Sequence, residues 1–164
     1  MKKIYLLAAV SVLTLSGAEV WAAEANGTGN ISAKIVAPVE ITQQDALDFG
    51  TILASDSGTK KVTIAPSGVR SGDAKMLVGI NEGKAGLFTV TGSTNQRMTI
   101  QLPASASLTG PGDPMTVDNF VSEPASELVL NGTSGQIKVG ADLNVAEGQE
   151  AGDYSTTYQI TVNY

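Results

Sequence analysis

Gly152-Asp153-Tyr154-Ser155-Thr156-Thr157-Tyr158-Gln159-Ile160-Thr161-Val162-Asn163-Tyr164 is the stretch that decides the fold class. Tyr154, Thr156, Tyr158, Ile160, Val162 and Tyr164 occupy one side of an extended chain, and Ser155, Thr157, Gln159, Thr161 and Asn163 the other. A period of two is what a pleated strand with one buried face imposes. Most domains end in a polar tail. A terminal aromatic on the apolar face predicts instead an end tied into a sheet or offered to a partner.

Upstream the same pattern recurs. The sequence predicts strands over Ile31–Thr42, Lys61–Ala65, Lys75–Ile80, Leu87–Thr91, Met98–Leu102, Met115–Val121, Glu127–Leu130, Gly135–Val145 and Tyr154–Tyr164. Turn signals separate them, among them Asp56-Ser57-Gly58, Pro66-Ser67-Gly68, Asn81-Glu82-Gly83, Gly110-Pro111-Gly112-Asp113-Pro114 and Asn131-Gly132. Glycine and asparagine supply positive φ there, and proline presets the first turn position. The best helical candidate, Gln43–Leu47, amounts to about one turn. Strands at roughly 8 to 12 residue spacing with such turns predict an all-β sandwich or barrel.

The other end reads as an address. Lys2 and Lys3, the apolar run Ile4–Leu15 and the small residues of Ser16–Ala25 form a secretory signal peptide, with cleavage expected after Ala22 or Ala25. The run is too short to span a bilayer, and no later segment is long enough, so no transmembrane segment is expected in the mature chain. Cleavage after Ala22 leaves residues 23–164 as one domain with an N-terminal strand extension.

Lys2, Lys3 and Glu19 leave with the leader, so the mature chain carries eight basic and fifteen acidic residues. That balance, without a basic run, argues against nucleic acid or an anionic membrane as partner. The chain has no cysteine and no histidine. Their absence removes thiol nucleophiles, imidazole acid–base chemistry and nearly all zinc, copper and haem sites, and no cofactor is expected.

The motifs that suggest chemistry are better read otherwise. Asp48-Phe49-Gly50 matches a kinase metal-binding tripeptide but stands without a nucleotide loop, and reads as a buried Phe with a turn glycine. Ser57-Gly58-Thr59-Lys60 fits the Ser-x-x-Lys of penicillin-recognising enzymes, yet sits in a turn rather than at a helix start. Asn26-Gly27-Thr28, Asn30-Ile31-Ser32 and Asn131-Gly132-Thr133 are formal glycosylation acceptors, which the bacterial look of the leader makes idle. Asp113, Asp118, Glu123 and Glu127 follow no calcium-loop spacing and read as a solvated acidic surface. Phe49, Phe88, Phe120, Tyr154, Tyr158 and Tyr164 all fall at strand-like core positions, which weakens a carbohydrate-stacking role.

Ile31, Ala33, Ile35, Ala37, Val39 and Ile41 alternate strictly with Ser32, Lys34, Val36, Pro38, Glu40 and Thr42. Pro38 cannot donate a ladder bond, so it marks an edge or the break between an extension and the first strand of the domain. Patterned strands at both ends either close one sandwich within the monomer or complete a neighbour's sheet.

Ile35-Val36-Ala37-Pro38-Val39-Glu40-Ile41-Thr42, Leu47-Asp48-Phe49-Gly50-Thr51-Ile52, Val62-Thr63-Ile64-Ala65-Pro66-Ser67-Gly68, Phe88-Thr89-Val90-Thr91-Gly92, Val139-Gly140-Ala141-Asp142-Leu143 and Gly152-Asp153-Tyr154-Ser155 resemble a bacterial family of cysteine-free secreted β-domains. Ile160-Thr161-Val162-Asn163-Tyr164 belongs to the same likeness. The family was catalogued as a domain of unknown function and is similar to chaperone-usher fimbrial (pilin) subunits.

The resemblance implies an immunoglobulin-like antiparallel β-sandwich lacking its last strand. A periplasmic chaperone fills the gap first, then the N-terminal extension of the next subunit. By position, Ile31, Ala33 and Ile35 become the donor, and Tyr158, Ile160, Val162 and Tyr164 the strand that lines the groove. The implied protein is a non-enzymatic homopolymer subunit, exported through the periplasm to the surface of a Gram-negative bacterium. The runner-up is a monomeric secreted or surface sandwich that binds a ligand such as a glycan through its loops. A carboxylate hydrolase comes third, with no motif behind it.

Overall fold

The computed structural model describes residues 24–79 and 82–164. The chain divides into two units, Met1–Lys34 and Ile35–Tyr164. In the first, residues 24–34 are exposed and belong to no helix or strand; the expected leader through Ala22 lies outside the described residues.

The second unit is all-β. Its strands are β1 (Glu40–Asp45), β2 (Lys60–Ile64), β3 (Arg70–Gly72), β4 (Gly86–Thr91), β5 (Arg97–Gln101), β6 (Ser105–Leu108), β7 (Met115–Glu123), β8 (Glu127–Val129), β9 (Ser134–Val145) and β10 (Thr161–Asn163). Every ladder between them is antiparallel.

β9 is the spine. One edge of it pairs first with β4, through Ser134 to Val139, and then with β2, through Ala141 to Val145. The other edge takes β7, with β6 beyond it. β1 extends the sheet past β4, and β3 extends it past β2. A second sheet has the order β10-β5-β8.

Alternation fills the space between the sheets. On β5 only Met98 and Ile100 are buried, and they meet Phe88, Val90, Ile137 and Val139 of the large sheet together with Leu128 and Leu130. The two sheets therefore pack face to face as a β-sandwich. A second cluster gathers Phe49, Val62, Ile64, Met76, Met115, Val117, Ala141, Leu143 and Val145, and half-buried Phe120 touches both clusters. Each fully buried Val, Leu or Ile contributes about 1.5–3 kcal/mol.

Gly140 stands where β9 passes from β4 to β2. A Cβ there would fall inside the contact radius of the Ile64 carbonyl oxygen and 2.8 Å from the Ala65 carbonyl carbon. Both obstacles are backbone, so neither can swing aside. The chain leaving β2 crosses directly over this residue, and only glycine leaves room.

Several expected elements differ, for local reasons. The strand expected over Ile31–Thr42 begins only at Glu40, because its partner β4 ends at Thr91, opposite Glu40, and turns away. Gln43–Leu47 is no helical turn: Gln43–Asp45 completes β1 through a register irregularity. Lys75–Gly79 is not a strand. The Asp73 carboxylate and carbonyl accept the Lys75 and Met76 N–H groups (3.0 and 2.9 Å), a local turn that competes with a ladder. Leu77 keeps a single bridge to Ile52.

Of the expected strand Tyr154–Tyr164, only Thr161–Asn163 joins a ladder, against Thr99–Gln101, while Ser155 makes a lone bridge to Thr109. β3 and β6 are short strands that the alternation did not reveal. Asp48-Phe49-Gly50 is a buried Phe followed by a glycine at φ +71°, as expected.

Replacing Gly140 by alanine is expected to lower stability by about 1–3 kcal/mol through forced backbone displacement. Chemical denaturation of the Gly140→Ala protein measures this; an unchanged midpoint would refute the crossing contact.

Candidate functional site

Segment 46–54 and segment 149–158 face each other across an open apolar groove. Its inner chamber has a volume of about 400 Å³ and is lined by Leu47, Phe88, Val117, Phe120 and Tyr158 among others. The second chamber, about 630 Å³, reaches Ile52, Met115, Leu143, Val145 and Gly152. Leu47, Phe49, Leu108 and Tyr154 line both, so the two chambers form one continuous trough. Buried Val117, Leu143 and Val145 lie at its floor, and half-buried Leu47, Leu108, Phe120, Tyr154 and Tyr158 are the apolar groups it leaves partly accessible.

Each wall is bonded on one side. Segment 46–54 exchanges Asp48 N–H to Lys84 O (2.9 Å) and Lys84 N–H to Asp48 O (2.8 Å), and Leu53 N–H donates to Met76 O (2.8 Å). The opposite wall exchanges bonds between Ser155 and Thr109 (3.0 and 3.2 Å), and residues 156–160 join no ladder. The walls meet at one end, where Gly148 N–H donates to Ser55 O (3.2 Å).

Two side chains stiffen these walls. The Arg70 guanidinium donates to the carbonyls of Phe49, Thr51, Val78 and Gly79 (3.0, 3.1, 2.6 and 3.2 Å), tying segment 46–54 to its neighbour. The Tyr154 hydroxyl accepts from Gly112 N–H (3.0 Å) and Gln149 Nε2 (2.9 Å) and donates to Glu150 O (2.9 Å). A carbonyl-rich turn beside a lone arginine gave no readable signal in the sequence.

The residues expected to take part in assembly fall into two groups. Ile31 and Ile35 are 100% and 95% exposed, Ala33 is exposed as well, and none of them belongs to a strand. Tyr158, Ile160 and Val162 are half-buried against the inter-sheet core, with Val162 opposite Ile100. Tyr164, expected in the core, is 70% exposed because β10 ends at Asn163. The Tyr158 ring stacks edge-on to Phe88 (6.0 Å) and tilted on Phe120 (5.2 Å). Burial pushes its phenol up to about 12, and its hydroxyl has no hydrogen-bond partner.

A family model described as a domain of unknown function, DUF4402, matches residues 39–164. The chain belongs to this family. No curated protein and no solved structure matches it. The match begins beside β1, so Ile31, Ala33 and Ile35 precede it.

The DUF4402 domain also carries a polar cluster on the outer face of β2, β9 and β7. Asp142 is buried there and accepts from Thr63 Oγ1 (2.6 Å), Lys61 Nζ (3.0 Å) and Asn119 Nδ2 (3.0 Å). A bulge between Asp118 and Val121 places Asn119 at φ +49° and turns it onto Asp142. Asp118, opposite Asp142, accepts from Asn144 Nδ2 (2.9 Å). The acidic surface expected around Asp113, Asp118, Glu123 and Glu127 is divided: Asp118 enters this cluster, while Glu127 pairs with Arg97. Among the described residues no three Asp or Glu side chains converge as metal ligands.

Burial raises the Asp142 carboxyl, but the hydrogen bonds from Thr63, Lys61 and Asn119 and the Lys61 charge outweigh it and hold the group below its ordinary value. The Asp142 hydrogen bond and charge hold the Lys61 ammonium above its own. A depressed folded value means the stabilisation is present above the unfolded pKa, near 3.9, and is lost as pH falls through the folded value.

Asp142→Asn is expected to cost about 1–3 kcal/mol at neutral pH, with the gap from wild type closing under acid. Urea melts across that range check it, and a pH-independent gap would refute the charged network. Tyr158→Phe removes an unpartnered buried hydroxyl, so its melting temperature is expected to equal or exceed wild type. A clear drop in calorimetry would show that the phenol has a partner.

Proposed function

We propose that this DUF4402 protein is a structural subunit that polymerises by strand donation. Residues 26–36 of one copy enter the apolar groove of the next, completing an immunoglobulin-like sandwich of the pilin type. A periplasmic chaperone occupies the same groove first, and the polymer stands on the surface of a Gram-negative bacterium.

The single observation behind this reading is the trough itself. Two walls, bonded on one side each, flank an open trough in which Leu47, Leu108, Phe120, Tyr154 and Tyr158 are only half-buried and Leu53 is exposed. An added strand supplies both missing partners, main-chain hydrogen bonds for the walls and apolar side chains for the floor. The chain contains a matching segment. Ile31, Ala33 and Ile35 repeat every second residue and are solvent-exposed, and residues 26–36 extended reach about 35 Å, against about 30 Å for 149–158.

Deleting residues 26–36 removes no ladder bond of the domain, so the truncated protein is expected to keep the melting temperature of wild type. It should bind its chaperone yet form no polymers. Electron microscopy and native mass spectrometry of secreted material read the outcome. A truncated form that polymerises normally would overturn strand donation, and a wild type that stays monomeric without a chaperone would favour a surface protein that binds through its loops.

A further inference from the structure

The two chambers of the groove differ in charge. No acidic or basic residue lines the inner chamber, where Tyr158 sits. Asp48, Glu150 and Asp153 line the larger one, all exposed, and among the described residues none of them pairs with a cation. Arg70 is committed to four carbonyls, and Lys84, opposite Asp48 in their bridge, forms no ion pair with it among the described residues.

The segment expected to enter the groove carries one basic residue, Lys34, and residues 26–36 hold no acidic one. Ala33 and Ile35 flank it. With those two side chains turned to the floor, the strand period turns Lys34 outward, to the rim. Its long stem lets the ammonium reach along that rim while staying hydrated.

We infer that Lys34 of the incoming copy pairs with Asp48, Glu150 and Asp153, and that this charge match sets the direction in which the segment inserts. The inference rests on the strand-donation reading. With Lys34 at the acidic chamber, Ile31 lies toward Tyr158, and the segment runs alongside 46–54 and against 149–158. In the reverse direction Lys34 would stand over the chamber that no charge lines. An isolated exposed ion pair contributes little, but a cation arriving at a rim that carries several unpaired carboxylates also relieves their mutual repulsion.

The test is a charge exchange in the mature full-length protein, read as polymer yield by native mass spectrometry and electron microscopy. Lys34→Glu is expected to lower polymer formation about three- to tenfold, as is the pair Glu150→Lys with Asp153→Lys. Combining all three substitutions is expected to restore it to within about twofold of wild type. Polymerisation of wild type should weaken between about 0.05 M and about 0.5 M salt, and that dependence should largely vanish in Lys34→Gln.

Lys34 is exposed, so these variants report on assembly rather than folding; should the rim pair misfold, the salt comparison decides alone. Lys34→Glu assembling like wild type, or an exchange that fails to restore two individually weakened forms, would overturn the charge match. Ile35→Asp separates the two levels of the argument. Loss of polymers in Ile35→Asp with no effect at Lys34 sinks the charge match and leaves strand donation standing, whereas normal polymers in Ile35→Asp sink both.

Discussion

The architecture depends on one strand having neighbours along its whole length. β9 gives one edge to β4 and then to β2, and its other edge to β7. Such a change of partner is possible only if the chain of β2 can depart at once, and it departs over Gly140. The core divides at the same place. Residues before the change belong to the cluster between the sheets, and residues after it to the cluster under the groove.

The second cluster lacks a cover of the kind the first one has. β5, β8 and β10 lie over Phe88, Val90, Ile137 and Val139. Over Val117 and Leu143 no strand of the small sheet lies; segments 46–54 and 149–158, with Ala106 and Leu108 of β6, stand at their margins. The small sheet does not extend further because β10 is short: the chain makes ladder bonds from Thr161 onward but none over residues 156–160. The groove is therefore a consequence of topology and of no single cavity-forming residue.

Much of this was visible in the sequence because strand alternation and turn chemistry are local. The core strands β2, β4, β5, β7, β8 and β9 match the alternating stretches to within a residue or two, and Phe49 was readable as buried from Asp48-Phe49-Gly50. Alternation says which side of a strand is apolar, but not whether another strand lies beside it. For that reason Ile31–Ile35 and Thr156–Ile160 carry strand patterns and join no ladder. The far wall of the groove was hidden for the opposite reason. Segment 46–54 is held by single bridges and by Arg70, contacts between residues distant in sequence with no period to announce them. The Asp142 cluster needed the register of three strands before its partners could be named.

The hydroxyl of Tyr154, with its two acceptor bonds and one donor bond, ties the second wall to the loop at Gly112 and to its own start at Gln149 and Glu150 before anything docks. Fixing a backbone residue costs about 1–2 kcal/mol, and for this wall the cost is met during folding. In the proposed assembly the conformational-ordering part of the entropic penalty then falls mainly on the incoming segment. Affinity is accordingly more responsive to the stiffness of that segment than to the shape of its receptor. A β-branched residue at a rim-facing position, which favours the extended chain and keeps its N–H, would strengthen the joint without removing a main-chain hydrogen bond.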